Sequence, residues 1–177
     1  MHFAAENGYL SSIPEKFKTA ELLNIPNKAG ETVFHLCGVR GCWAGLPESV
    51  ITLDAMTRLD LGGSNPLHHF GESLFELDDD DAVEQASSGF LSKVPKCALY
   101  PEALMQPNGD GITPLKIFVD DLRCDLKYLL GVELPEEARD LVGDAWFNAN
   151  LEVCLEKKRS NGTVEVISDA ESVEVDI

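Results

Sequence analysis

Apolar positions in this chain fall into short blocks separated by glycine and proline. The clearest helical spacing covers residues 114–130, where Leu115, Phe118, Val119, Leu122, Leu126, Leu129 and Leu130 return every three or four residues. A longer helical region is predicted from Leu134, with Leu141, Val142, Ala145, Trp146, Leu151 and Leu155 as its apolar face. Pro135 and Glu136-Glu137 suit its first turn, and Lys157-Lys158-Arg159 suit its last. Upstream, a helix is expected to start after Thr32, after Asn65-Pro66 and at Thr113-Pro114. Gly8, Gly41 and Gly89 can end such helices in a left-handed turn. Leu10, Trp43 and Leu91 then begin a second helix packed on the first, with Trp43 in the core. Thr19 and Thr52 start further short turns over Ala20–Leu23 and Leu53–Met56, and Tyr100-Pro101 does the same later.

One ruler measures these blocks. His2 to His35 is a step of 33, His35 to His68 is another 33, and His68 to Lys116 is 48, which is 33 with 15 inserted. Pro14, Pro47 and Pro95 each lie 21 residues before the next His/Lys position, and Gly8, Gly41 and Gly89 each lie six before those prolines. Ile13, Leu46 and Val94 precede the prolines, and Asn27, Asp60 and Asn108 follow them by 13. The inserted residues fall at about 71–86. Around the ruler sit Gly30-Glu31-Thr32-Val33-Phe34-His35, Gly63-Ser64-Asn65-Pro66-Leu67-His68 and Gly111-Ile112-Thr113-Pro114-Leu115.

Period and motif together resemble the ankyrin repeat, a β-turn finger followed by two antiparallel helices. The resemblance covers roughly residues 1–130. Val33 stands in place of proline, Asn65 of threonine and Lys116 of histidine, and Cys37-Gly38 replaces a small alanine pair. The implied fold is an all-α repeat solenoid with short β-turn fingers over 1–130. A C-terminal helical cap over 131–159 and an acidic, flexible tail over 160–177 follow it. The motif histidine is implied to be a structural hydrogen bonder. The first helices and finger tips line the concave binding surface of such arrays. That places Val39, Arg40 and His69 on the inner face and Asp60, Leu61 and Asp110 on the fingers, with Glu72 at the start of the inserted stretch. Phe3 and Tyr9 are expected on an uncapped first unit, which exposes apolar surface.

Composition narrows the classes of function. Apolar residues make up 44% of 177, enough for a continuous core, and no apolar run is long enough to span a bilayer. No secretory signal is visible. Five scattered cysteines, an odd number, suggest reduced thiols in the cytoplasm rather than a disulfide framework. The net charge is −17, concentrated after residue 70: residues 71–130 carry 12 acidic and 5 basic groups, and residues 131–177 carry 12 and 4. Such a field repels nucleic acid and anionic membrane and favours basic surfaces, or it serves solubility alone.

Within the insertion, Asp78-Asp79-Asp80-Asp81 forms a carboxylate run, with a helix expected over about 81–87. Insertions in repeat proteins often lie on the binding face. His68-His69 beside that run resembles a metal constellation, but His68 belongs to the structural motif and no metal-ligand spacing supports it. The run also lacks the glycine and bidentate glutamate of a calcium loop. Cys37 and Cys42 are conceivable nucleophiles, yet no catalytic or phosphate-binding motif accompanies them. The expectation is a non-catalytic protein–protein interaction module, needing no metal or cofactor, whose partner has a basic surface. Its contact residues are expected to be Val39, Arg40, Asp60, Leu61, His69, Glu72, Asp78, Asp79, Asp80, Asp81 and Asp110. An alternative is an acidic nucleic-acid mimic, such as a phage or bacterial antagonist, that blocks a DNA- or RNA-binding protein. A third is an array fragment that self-associates through its first unit.

Overall fold

At Thr52, Asn65 and Thr113 a helix start is set by a side chain that satisfies free amide groups of the first turn. At Asn65, Oδ1 accepts from the amides of Leu67 and His68, and Pro66 occupies the first helical position. At Thr113, Oγ1 accepts from the Lys116 amide, again followed by proline. The computed structural model describes residues 1–73, 90–121 and 126–160. The run Asp78–Asp81, the helix expected over 81–87, Gly89, Leu122 and the tail from 161 lie outside them. The described residues are helical, without a strand, and none of their helices is long and apolar enough to cross a membrane.

The helices α1 (His2–Glu6), α3 (Val33–Arg40), α5 (Pro66–Glu72) and α7 (Pro114–Lys116) follow the ruler. Between them stand short helices α2 (Ala20–Leu23), α4 (Leu53–Met56) and α6 (Pro101–Met105), where the sequence places them. α3 ends at Gly41, whose φ of 62° is the left-handed cap expected there. α3 and α5 pack closely: a Cβ on Gly38 would lie 2.3 Å from the Pro66 carbonyl oxygen. Phe34, Phe70 and Phe118 are fully buried, and Phe70 meets Phe118 edge to face.

The second helix expected in each unit does not form. Leu10–Ser12, Trp43–Gly45 and Phe90–Lys93 are single 3-10 turns. Each stops short of a proline, which drives the preceding residue into extended backbone. Ile13 (ψ 129°) and Leu46 (ψ 138°) are extended as that rule requires. A second 3-10 turn follows each proline, at Glu15–Phe17, Glu48–Val50 and Lys96–Ala98. The apolar positions are nonetheless buried: Leu10, Trp43 and Leu91 all lie in the core.

The C-terminal part departs from its sequence pattern for a related reason. After α7 the chain makes a π-helical turn over Ile117–Asp121, and a 3-10 turn at Leu126–Leu129. The region from Pro135 is not one helix but a 3-10 turn, then α8 (Arg139–Val142) and α9 (Asp144–Ser160). Gly143, with φ of 81°, separates the two helices and resets the helical phase. Phe147, Asn150 and Cys154 are therefore the buried stripe of α9, whereas Leu151 and Leu155 are exposed. Asn150 fastens α9 to the preceding loop: its Oδ1 accepts from the Gly131 amide, and its Nδ2 donates to the Val132 carbonyl.

Candidate interaction face

Three five-residue turns, Asn27 to Glu31, Asp60 to Ser64 and Asn108 to Ile112, are built alike. In each, the side-chain oxygen of the first residue accepts two backbone amides. These are Ala29 and Glu31 for Asn27, Gly62 and Ser64 for Asp60, and Asp110 and Ile112 for Asn108. Such Asx turns explain why only Asn or Asp occupies that column. The turns abut: the Leu61 amide donates to the Ala29 carbonyl at 2.9 Å, and a Cβ on Gly63 would lie 2.9 Å from the Gly109 nitrogen.

Histidines tie the helices to these turns. His35 Nδ1 accepts the Thr32 amide, and its Nε2 donates to the Ser64 carbonyl. His68 repeats the pattern, with Nδ1 to the Asn65 amide and Nε2 to the Ile112 carbonyl at 2.9 Å. His2 Nε2 lies 3.2 Å from the Glu31 carbonyl in the same register. With an amide aimed at Nδ1, each of His35 and His68 is held as the Nε2–H tautomer. Burial, reinforced by the neighbouring His69, pushes His35 down to about 4. Burial also lowers His68. A metal role for His68 has no free nitrogen to use.

Several of the residues named from sequence reach solvent. Leu61, at a turn tip, is 81% exposed, and Asp110 and Arg40 are exposed as well. Val39 and Glu72 are half-buried near the ends of α3 and α5. Phe3 and Tyr9 stand out at the N-terminal end, at 72% and 60% exposure. Asp60 and His69 are joined, Oδ2 to Nε2 at 2.8 Å, and His69 meets His35 edge-on at 5.4 Å. Burial raises the Asp60 carboxyl, but the Ser64 amide and His69 outweigh it and hold the group below its usual value. The Asp78–Asp81 part of the expected site lies outside the described residues.

Glu31 completes this group and was not singled out from sequence. Its Oε2 accepts from Asn27 Nδ2 at 2.7 Å. Glu31, Asp60 and His69 each offer one ligating atom, all within 4.8 Å of one another. The signal was present in the ruler, because Glu31 shares its column with Ser64 and Ile112. Elsewhere, Cys37 and Cys42 bring their sulfurs to 3.2 Å. A groove of about 860 Å³, lined by Lys96, Tyr100, Met105, Val132 and Lys157 among others, lies between α6 and the C-terminal helices. Among the described residues, none of those expected to bind a partner lines it.

No family model and no curated protein matches the chain.

Proposed function

We propose that the chain is a non-catalytic, ankyrin-like repeat solenoid that binds another protein, in the cytoplasm, through its turn tips, the adjoining helix ends and the acidic insertion. The observation that carries this reading is the recurrent bonding between motif histidine and turn carbonyl, from His2, His35 and His68, in step with the ruler. That lattice uses backbone and motif side chains only. It leaves the side chains of Leu61, Arg40 and Asp110 outside the scaffold's own bonding needs, where variation is free to serve recognition. The charge of −17 favours a basic partner and rapid, salt-sensitive encounter.

The test is a pull-down of the tagged full chain from a lysate of its source cells at low and moderate salt. Two variants accompany it, Leu61→Ser with Asp110→Asn, and all four of Asp78–Asp81 changed to Asn. A stoichiometric partner lost from either variant supports the reading. Loss from the first places the contact on the turns, and loss from the second on the insertion. No stoichiometric partner, or one held equally by both variants, overturns it. Preloading the captured protein with nucleic acid separates an ordinary partner from mimicry, since a mimic is displaced.

A further inference from the structure

Three positions break the columns of the ruler in chemistry as well as identity, and all three meet at one point. At the head of the turns, Asn27 and Asn108 show that a neutral amide is enough to build the structure, yet the middle turn has a carboxylate, Asp60. Four residues after the turn head, Glu31 occupies a column filled elsewhere by Ser64 and Ile112. His69 occupies one filled by Phe3, Leu36 and Ile117. Asp60 and His69 depart together and meet at 2.8 Å, and repeat positions that break the local rule are where function is to be sought.

The two carboxylates are also held in place by bonds to one of their oxygens, which turn the other toward the group. Asp60 Oδ1 is used by the Gly62 and Ser64 amides, which leaves Oδ2 to face His69. Glu31 Oε2 is used by Asn27, which leaves Oε1. His69 is fixed by its edge contact with His35 and by close packing, its Cβ lying 3.3 Å from where a Cβ on Gly38 would stand. Such outer bonds orient metal ligands in established sites. The side chains of Asp60 and His69 are only 9% and 16% exposed, so water screens this pair poorly.

We infer that Glu31, Asp60 and His69 form a binding site for a divalent transition metal of the zinc class. One imidazole nitrogen and two carboxylate oxygens suit such an ion, and three protein ligands leave a fourth position open. In a tetrahedral site, metal–ligand lengths of about 2.0–2.2 Å set the donors about 3.4 Å apart: Asp60 Oδ2 and His69 Nε2, now at 2.8 Å, exchange their hydrogen bond for the ion and open slightly, while the Glu31 carboxylate draws in from within 4.8 Å. The fourth position takes water, or a side chain of the bound partner; only this last clause rests on the interaction reading.

The experiment titrates Co²⁺ into the EDTA-treated, desalted full chain and reads the visible spectrum, then displaces the ion with Zn²⁺. The same titration is run with the four residues Asp78–Asp81 changed to Asn, to remove a competing oxygen site. The expected result is one equivalent bound with the strong d–d bands of a four-coordinate ion carrying nitrogen. Glu31→Gln and Asp60→Asn each weaken binding by more than the tenfold to about 100-fold that loss of an outer partner costs, and His69→Gln abolishes the bands. Asp60→Asn retains the turn, as Asn27 and Asn108 do; should it fail to fold in the metal-free circular dichroism control, Glu31→Gln decides the matter. Only the weak bands of six-coordinate, oxygen-bound Co²⁺, or equal binding by wild type and the three variants, overturns the site. The measurement uses the chain alone, so its failure leaves the partner reading untouched, and absence of a partner leaves the metal result standing.

Discussion

His35 has both ring nitrogens committed to backbone, Nδ1 as acceptor from Thr32 and Nε2 as donor to Ser64. A proton on Nδ1 would set N–H against N–H, inside a buried site. Its folded value, about 4, lies below the unfolded value of about 6.5. The stability it contributes is therefore complete above about pH 6.5 and drains away as pH falls toward 4, by up to about 3 kcal/mol. Relief of the −17 charge acts the other way as carboxylates protonate, so the comparison must be made against a variant. Urea midpoints for wild type and His35→Gln, taken near pH 7.5 and near pH 5, are expected to converge at the lower pH. A constant difference would mean that the imidazole is not held neutral by the fold. Cysteine reactivity is the second forecast at this scale. The Cys37 thiol's hydrogen bond, aided by Arg40, lowers Cys42, while burial raises Cys97 and Cys154. Iodoacetamide followed by peptide mass mapping is expected to label Cys42 ahead of both, because the thiolate is the nucleophile. Equal labelling rates would contradict that order.

At the scale of elements, Gly38 and Asn150 show opposite ways of joining helices. Gly38 lets α3 approach α5 until there is no room for a methyl group, with Pro66 oxygen at 2.3 Å and Phe70 nitrogen at 3.1 Å from an added Cβ. Alanine gains about 1 kcal/mol in helix propensity, but a clash with backbone cannot be relieved by a side-chain rotation, and overpacking costs about 1–3 kcal/mol. Gly38→Ala is expected to lower stability in urea unfolding, and a neutral or stabilised variant would disprove so close a contact. Asn150→Ala should cost about 1–3 kcal/mol for each group it strands, the Gly131 amide and the Val132 carbonyl. The same elements show what could be read from sequence. Turn heads, caps and motif histidines were legible because each obeys local chemistry repeated at a fixed step. The second helices were misread although their own prolines were used as the ruler, because Ile13 and Leu46 obey the proline that follows them rather than the apolar spacing. The stripe of α9 was misplaced because Gly143 shifts the phase, so spacing counted across it selects Leu151 and Leu155 instead of Asn150 and Cys154. Glu31 was missed because it has no motif; its role depends on contact with Asp60 and His69, 29 and 38 residues further on.

Across the whole molecule the dominant quantity is charge, and it acts in opposite directions on folding and on association. With −17 spread over 177 residues, the compact chain repels itself, and screening by salt relieves that repulsion. The Debye length falls from about 30 Å at 0.01 M to about 8 Å at 0.15 M. Among the described residues few attractive pairs are given up in exchange: the ion pairs of Arg139 with Glu136 and Asp144, and of Lys158 with Glu133, lie at the surface, where water already screens them. The melting temperature of the isolated chain is therefore expected to rise between those two salt concentrations, as followed by circular dichroism. Binding to a basic partner should weaken over the same interval, mainly through a slower association rate. The opposition guards the interpretation of the pull-down. A partner lost at moderate salt has left a chain that is more stable than before, so the loss reports the interface and not unfolding. A melting temperature that falls with salt would show instead that attractive pairs outweigh the repulsion, and that the acidic excess is already neutralised within the fold.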